Sequence, residues 1–362
     1  MIEARPDLEV APGRYVGTDR PCFIIAEIGQ NHQGDVQIAK ELIRVAKECG
    51  ADCIKFQKSC LTEKFTRGAL DRDYAGEHSW GATYGQHKER LEFDKSQYLE
   101  LQQYAADQVG IPLTASAMDP VSLDFLDSIG VPFIKIGSGD ADNEILLRRA
   151  ALTGKPLIIS TGMSDMDTVD RIYATVSKRH KKFAMLHCIS AYPTPPQSAN
   201  LRVIETYLRR FPDVQIGYSG HELGYAITLA AVALGAKVVE RHITLDKRWK
   251  GSDHRCSLEP QEFSAMVKAL RDVEAALGTP VKCVQPCELE CRRKLGKSLV
   301  VAAQSIPGGR TIGQDDVNIK VSEPPGLPAA RLRSIIGKAK TVRMLSYDEP
   351  IQESDISYDL NS

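Results

Sequence analysis

"VVERHITLDKRWKGSDH", Val238 to His254, begins as a buried strand does, with β-branched residues, and then runs into Glu240, Arg241 and His242. Successive side chains of a strand point to opposite faces, so Arg241 leaves on the face away from His242 and reads as structural. A buried strand that delivers a histidine at its end fits a parallel barrel, where chemistry collects at the C-terminal ends of the strands. The rest of the chain tests that idea, because the other strands must end in the same way.

They do. Short apolar runs alternate with amphipathic helical stretches, the pattern of βα units around a parallel sheet. The predicted strands are "CFIIAE" (22–27), "DCIKFQ" (52–57), "PLTAS" (112–116), "FIKIGS" (133–138), "PLIIST" (156–161), "FAMLHC" (183–188), "VQIGYS" (214–219) and "VVERHI" (238–243). Helical patterns lie between them, such as "DVQIAKELIRVAKECG", with Asp35 placed to cap the start and Gly50 to end it. Eight such pairs over about 275 residues predict an α/β fold, a (β/α)8 TIM barrel. From Ser59 to Lys95 the apolar period is lost, and His78, Trp80, Tyr84 and His87 occur among polar residues. A loop this long after the second strand predicts a lid at the barrel mouth.

After Gly278 the composition changes to "TPVKCVQPCELECRRK" and then to a compact β-rich tail. In the tail, Ile312 with Asp316-Val317 has the same spacing as Ile351 with Asp355-Ile356, an approximate duplication. The expected organisation is a catalytic barrel over 1–285, a linker over 286–293 and a small β domain over 294–356. Lys and Arg number 46 against 47 Asp and Glu, a formal charge of -1, so no global pull toward nucleic acid or an anionic membrane is expected. No apolar run approaches the ~20 residues of a membrane helix, and the first residues show no secretory pattern. The nine cysteines sit mostly inside strand or helix patterns, which suits reduced thiols and a cytoplasmic location. Cys283, Cys287 and Cys291 have i, i+4, i+8 spacing, but Pro286 interrupts a continuous helix and incidental cysteines are the expectation.

Polar residues gather at the strand ends: Glu27, Lys55 with Gln57, Thr114 with Ser116, Lys135 with Ser138 and Asp140, Ser160-Thr161, Ser190 with Tyr192, Ser219 with His221, and His242. An unpaired ammonium is costly to bury, so Lys55 and Lys135 inside strands need a reason. One reason is an internal ion pair with Glu27 or Asp140. The other is an anion site, built from the lysines, the hydroxyls of Ser138, Ser160 and Ser219, and the amides of the "GSGD" and "STGM" turns. His221 and His242 end neighbouring strands about 4.8 Å apart, so their imidazoles can converge on one divalent ion. Two protein nitrogens leave the other positions to water and substrate oxygen, which suits Mn2+ or Mg2+ better than a structural zinc.

The segments "FIIAEIGQNHQGD", "KFQK", "FIKIGSGD", "ISTGM", "AYPTP", "IGYSGHE", "ERHITLDKRWKGSDH" and "KLGKSLV" together resemble the sialic acid synthases, the N-acetylneuraminate synthase family. The resemblance runs from about Arg14 to Ile356, and the tail is similar to the antifreeze-like (SAF) domain of that family. "HSWGATYGQHK" and "KGSDHRCSLEP" are most similar to its animal branch. The resemblance implies condensation of phosphoenolpyruvate with N-acetylmannosamine 6-phosphate to N-acetylneuraminate 9-phosphate, with release of phosphate. Mannose 6-phosphate is a further acceptor to consider, and the alternative is a synthase of free N-acetylmannosamine or another nonulosonic acid precursor.

By the same resemblance, His221 and His242 hold the metal, and Glu27 and Asp140 are acidic groups at the reacting centre. Lys55, Gln57, Thr114, Lys135, Ser138, Ser160 and Ser219 surround phosphoenolpyruvate. Ser190, Tyr192, Asp253 and Lys297 are further substrate contacts, and a domain-swapped homodimer is implied. Asp140 stands where many bacterial members have Glu, Ser190 where they have Asn, and "KVSEPPG" lacks their sugar-contacting arginine. A lysine Schiff-base aldolase is a rival, but "FAMLHC" lacks the lysine such enzymes place on the sixth strand. An ice-binding role for the tail is disfavoured by the cations of "RLRSIIGKAKTVRM".

Overall fold

The structure, a computed structural model, describes residues 5–301 and 305–358. Residues 1–4, at the start of the expected barrel range, and 302–304, within the expected small β domain, lie outside the described residues. The chain divides into two compact units, Met1–Gly278 and Thr279–Ser362.

The first unit opens with a two-stranded antiparallel hairpin, β1 (Leu8–Ala11) and β2 (Arg14–Val16), which the sequence reading missed. Eight parallel strands then close a barrel. They are β3 (Phe23–Gly29), β4 (Cys53–Lys58), β5 (Leu113–Ala117), β6 (Ile134–Ile136), β7 (Leu157–Ser160), β8 (Phe183–Cys188), β9 (Gln215–Gly220) and β10 (Val238–His242). Each lies within two residues of its predicted bounds. The barrel closes between the last strand and the first, where His242 sits level with Glu27. Helices fill the connections, beginning with α1 (Val36–Glu48), where the Asp35 side chain accepts from the backbone amides of Gln37 and Ile38. At its other end Gly50 takes the left-handed φ of 89° that stops a helix.

Alternation along the strands sorts two cores. Phe23 and Ile25 of β3 and Val238 of β10 point inward and pack with Phe133, Ile158 and Leu186 and with Leu8, Val10 and Val16 of the hairpin. The hairpin thus shares the apolar layer inside the barrel. Ile24, Ala26, Ile28 and Val239 point outward into the core between strands and helices. Continuing the alternation, the next inward residues are Glu27, Glu240 and His242, so the barrel interior changes from apolar to polar along its axis. Arg241 points outward, as expected, and is fully buried beside Glu222.

The lid expectation for 59–95 needs one correction: the segment is folded. It carries α2 (Leu61–Lys64), α3 (Arg67–Asp71) and α4 (Tyr84–Leu91), the last with a Thr83–Gln86 capping box. Helices of four and five residues are too short to show an apolar period, and aromatic contacts such as Phe65–Tyr84 and Tyr74–His87 hold them instead.

Among its described residues, the second unit has three antiparallel pairs of short strands around Leu299, Ile306, Ile312, Leu345 and Ile351. The duplication is physical. Asp316 accepts from the Gly313 amide and pairs with Arg310, while Asp355 accepts from the Gln352 amide and pairs with Arg343. Each aspartate closes a turn, and Ile312 and Ile351 fill equivalent places in the core. Cys283, Cys287 and Cys291 are exposed free thiols, with Pro286 starting a short turn between them.

Candidate active site

A cavity of about 290 Å³ opens at the C-terminal ends of the barrel strands. It is lined by Glu27, Lys55, Gln57, Lys135, Ser138, Asp140, Ser160, Ser190, Tyr192, Ser219, His221 and His242, twelve of the residues expected from sequence. Eight strands contribute to one wall because their polar ends share a level, as the registers Glu27 to Lys55 and Ser116 to Lys135 show.

The buried lysines are paired internally, in part with other carboxylates than expected. Lys55 Nζ lies 2.6 Å from Glu27 Oε2 and 3.0 Å from Ser116 Oγ, and Lys135 Nζ donates to Ser160 Oγ at 2.8 Å. The carboxylate nearest Lys135 is Glu240, at 3.7 Å, and Glu240 also lies 3.6 Å from Lys55. Asp140 pairs instead with Lys64 of the lid, at 2.8 Å. Lys55, Lys64 and Lys135 therefore face Glu27, Asp140 and Glu240, and the charges balance while all six are ionised.

Burial unbalances them. It pushes the Glu27 carboxyl well above the usual range, helped by Glu240 and opposed by Lys55. Burial also works against Glu240, yet the two lysines, Lys135 and Lys55, hold that carboxyl below its usual range. The physical difference is the number of ammonium neighbours. Burial thus weakens the ionised form of one of the three carboxylates set against the three lysines, and the mouth favours an anionic ligand.

Backbone shape adds donors. The Gly162 amide donates to Ser138 Oγ at 3.0 Å, and a Cβ on Gly162 would lie 2.3 Å from Ser190 Oγ and 2.7 Å from Ser138 Oγ. A side chain at position 162 would have to displace both hydroxyls. The Ser190 hydroxyl is buried without a hydrogen-bond partner among the described residues.

The imidazole rings of His221 and His242 are 5.3 Å apart, and the Tyr192 ring lies 4.2 Å from His221. Burial, with His242 adding to it, lowers the His221 pKa to about 4, and burial lowers that of His242 against the pull of Asp253. Both rings are neutral near pH 7. His221 Nδ1 lies 3.0 Å from the Ile189 carbonyl, which makes that nitrogen the proton-bearing one and leaves Nε2 a lone pair. His242 Nδ1 is buried without a hydrogen-bond partner, 3.9 Å from Asp253 Oδ2. Among the described residues no three His, Cys, Asp or Glu groups form a metal cage. The pair offers two neutral imidazole donors, and an ion held there would need water and substrate to complete its coordination.

Three expected residues lie elsewhere. Thr114 is on the inward face of β5 but one layer below the cavity, and its hydroxyl donates to the Phe133 carbonyl at 2.6 Å. Asp253 follows β10 and reaches the site only through His242, with Ser252 donating to its other oxygen at 2.8 Å. Lys297 is exposed at the start of β11 (Lys297–Val301) in the second unit. Sequence reasoning left Glu240, Lys64 and Ser116 without a role in the site. Glu240 was recoverable, because it stands two residues before His242 and shares its face.

A family model described as the NeuB family matches residues 42–282. The chain is 55% identical over 348 residues to an N-acetylneuraminate-9-phosphate synthase of Mus musculus, with 96% of each chain covered. It is 55% identical over 347 residues to the Homo sapiens protein of the same name, again with 96% of each covered. Among solved structures it resembles an N-acetylneuraminic acid synthetase of Leptospira borgpetersenii, with a TM-score of 0.70 and 31% identity over 82% of this chain and 99% of that one.

Proposed function

The chain belongs to the NeuB family, and from that premise we propose that it condenses phosphoenolpyruvate, N-acetylmannosamine 6-phosphate and water to N-acetylneuraminate 9-phosphate and phosphate. The observation that carries this reading is the barrel mouth itself, where buried lysines and serines stand beside two neutral histidines in one cavity. That combination suits a substrate carrying phosphate and carboxylate and an acceptor bearing an aldehyde.

His221 and His242 would hold Mn2+ or Mg2+, which when bound supplies Lewis-acid polarisation of the acceptor aldehyde. Lys55, Lys64 and Lys135, with the hydroxyls of Ser116, Ser138, Ser160 and Ser219, hold the anionic groups of phosphoenolpyruvate. C3 of phosphoenolpyruvate attacks the aldehyde carbon, and positive charge develops at C2. Glu27, with its raised pKa, is suited to take the proton of the water that adds to C2, while Asp140 faces the same charge. The aldehyde oxygen takes up the proton released from water and becomes a hydroxyl; the C2 hydroxyl then loses its proton as the ketone forms, and the C2–O bond to phosphate breaks, phosphate leaving with the bonding electrons and that proton, held by the lysine and serine groups. Tyr192 and Asp253 flank the histidines on the acceptor side.

Phosphate release from phosphoenolpyruvate tests this with N-acetylmannosamine 6-phosphate, N-acetylmannosamine and mannose 6-phosphate in turn, each with and without chelator. Release with the first, abolished by chelator, is expected; release with mannose 6-phosphate would add a KDN 9-phosphate product. Silence with all three would overturn the assignment, and release indifferent to chelator would remove the metal from it. The same reading makes the chain a homodimer, which light scattering tests. It also places the protein in a reducing compartment such as the cytoplasm, supported by nine unpaired cysteines. No helix among the described residues is long and apolar enough to cross a membrane.

A further inference from the structure

The lid and the loop after β10 carry cations that the chemistry above does not use. Lys250 Nζ lies 4.7 Å from the centre of the Trp80 ring, and the Arg90 guanidinium lies 5.7 Å from it. The Trp80 amide donates to His87 Nδ1 at 3.3 Å, which ties the ring to α4. Lys88, on the same helix, extends to Gln30 Oε1 at 3.2 Å, a neutral acceptor. No carboxylate lies within 4.0 Å of the Lys88, Arg90 or Lys250 nitrogens among the described residues. The carboxylates around them are otherwise engaged: Glu92 is bound by Lys58 and Ser59, and Asp253 lies against Ser252 and His242.

The Lys88 ammonium also lies 5.6 Å from the centre of the Tyr84 ring, and a half-buried ammonium with only an amide oxygen and a ring face beside it is costly unless an anion arrives. Burial accordingly lowers the Lys88 pKa, with Asp253 and Glu92 opposing. The cluster also sits beside the acceptor end of the cavity, because Lys88 and Lys250 both act on His87 and Asp253 faces Lys88 and His242. An acceptor whose aldehyde lies at the histidines extends its far carbon away from the phosphoenolpyruvate lysines.

We propose that the lid residues Lys88 and Arg90, with Lys250 of the loop after β10, form the subsite for the acceptor's phosphate group and so select a phosphorylated sugar over the free one. This rests on the reading of the acceptor as a sugar 6-phosphate. The two segments involved, 78–90 and 249–254, are far apart in sequence and meet at Trp80, whose ring holds Arg90 and Lys250 near each other while leaving their donors unspent.

The test measures kcat/KM for N-acetylmannosamine 6-phosphate and for N-acetylmannosamine in the wild type, K88M, K88Q, R90M, K250M and the K88M/K250M double variant. The readout is the ratio of the two values. A charge-assisted contact to phosphate predicts a fall in that ratio of about 10-fold or more for Lys88 and a larger fall in the double variant. Inorganic phosphate should compete with the phosphorylated acceptor in the wild type and lose that effect in the double variant. An unchanged ratio in every variant, or an equal loss for both sugars, overturns the subsite. If the wild type itself shows no preference for the phosphorylated sugar, the acceptor reading fails instead, before any variant is compared.

Discussion

Replacing Glu222 by Gln tests how the histidine pair is held in place. Glu222 follows His221 directly, and its carboxylate meets the Arg241 guanidinium at 2.9 Å with both side chains essentially inaccessible, at 1% and 0% exposure. Tyr218 donates to the same carboxylate at 2.9 Å and Thr228 at 2.6 Å, while Arg241 also donates to the carbonyls of Gly224 and Glu222, each at 2.8 Å. The network locks the residue after one histidine to the residue before the other. At an effective dielectric near 20, a 2.9 Å pair has a gross attraction of about 6 kcal/mol, but most of it repays desolvation. The amide keeps the shape and most of the hydrogen bonds and removes the charge, leaving a buried guanidinium uncompensated at a cost of roughly 3–5 kcal/mol. For a unit of this size that is a fall in Tm of roughly 6–12 °C, measured by calorimetry of the full chain. Tyr218→Phe, which removes one neutral donor, should cost only about 1–2 kcal/mol. If Glu222→Gln melts within about 2 °C of the wild type, the pair does not organise this edge of the barrel.

Three further outcomes are expected. His242→Ala and His221→Ala should each abolish metal-dependent phosphate release and weaken Mn2+ binding by calorimetry while the far-ultraviolet circular dichroism stays that of the barrel; full activity in His242→Ala would refute the metal assignment. His32 is buried against Phe93, with rings 4.1 Å apart, and burial lowers its pKa to about 3 despite a bond to the Gly29 backbone. The unfolded chain takes up that proton below about 6.5, so stability is full above pH 6.5 and falls as pH drops toward 3, by on the order of 5 kcal/mol from this residue. His32→Phe should flatten that part of the denaturation profile, and an unchanged slope would show that His32 is charged in the fold. In the second unit, Asp316→Ala and Asp355→Ala should destabilise to similar extents, about 1–3 kcal/mol each in urea titrations, because they close matching turns; a large loss for one and none for the other would break the equivalence.

The barrel was legible because each strand is a short apolar run with polar residues at or just beyond its end, and a two-residue period assigns each side chain to a face. That is why Arg241 and His242 separate correctly. Depth within the barrel was less legible. Thr114 and Ser116 share a face, yet only Ser116 reaches the cavity, since alternation fixes a side and not a level along the axis. Pairings across the barrel were illegible for a similar reason: Lys135 finds Glu240 and Asp140 finds Lys64, contacts made by long side chains from elements far apart in sequence. The hairpin of β1 and β2 escaped notice because strands of four and three residues carry little pattern, and its burial is visible only once the barrel interior exists to receive it.

β10 behaves like a reading frame. Val238, Glu240 and His242 face the barrel interior while Val239 and Arg241 face the helices, so neighbouring letters serve unrelated purposes. Substitution at one position disturbs one purpose. Deleting or inserting a single residue within the strand would exchange all of them at once, carrying Arg241 into the lysine-rich cavity and His242 into the shell where Glu222 waits for a cation. Redesign of this protein can therefore change single letters of β10 one purpose at a time but has no freedom of length there.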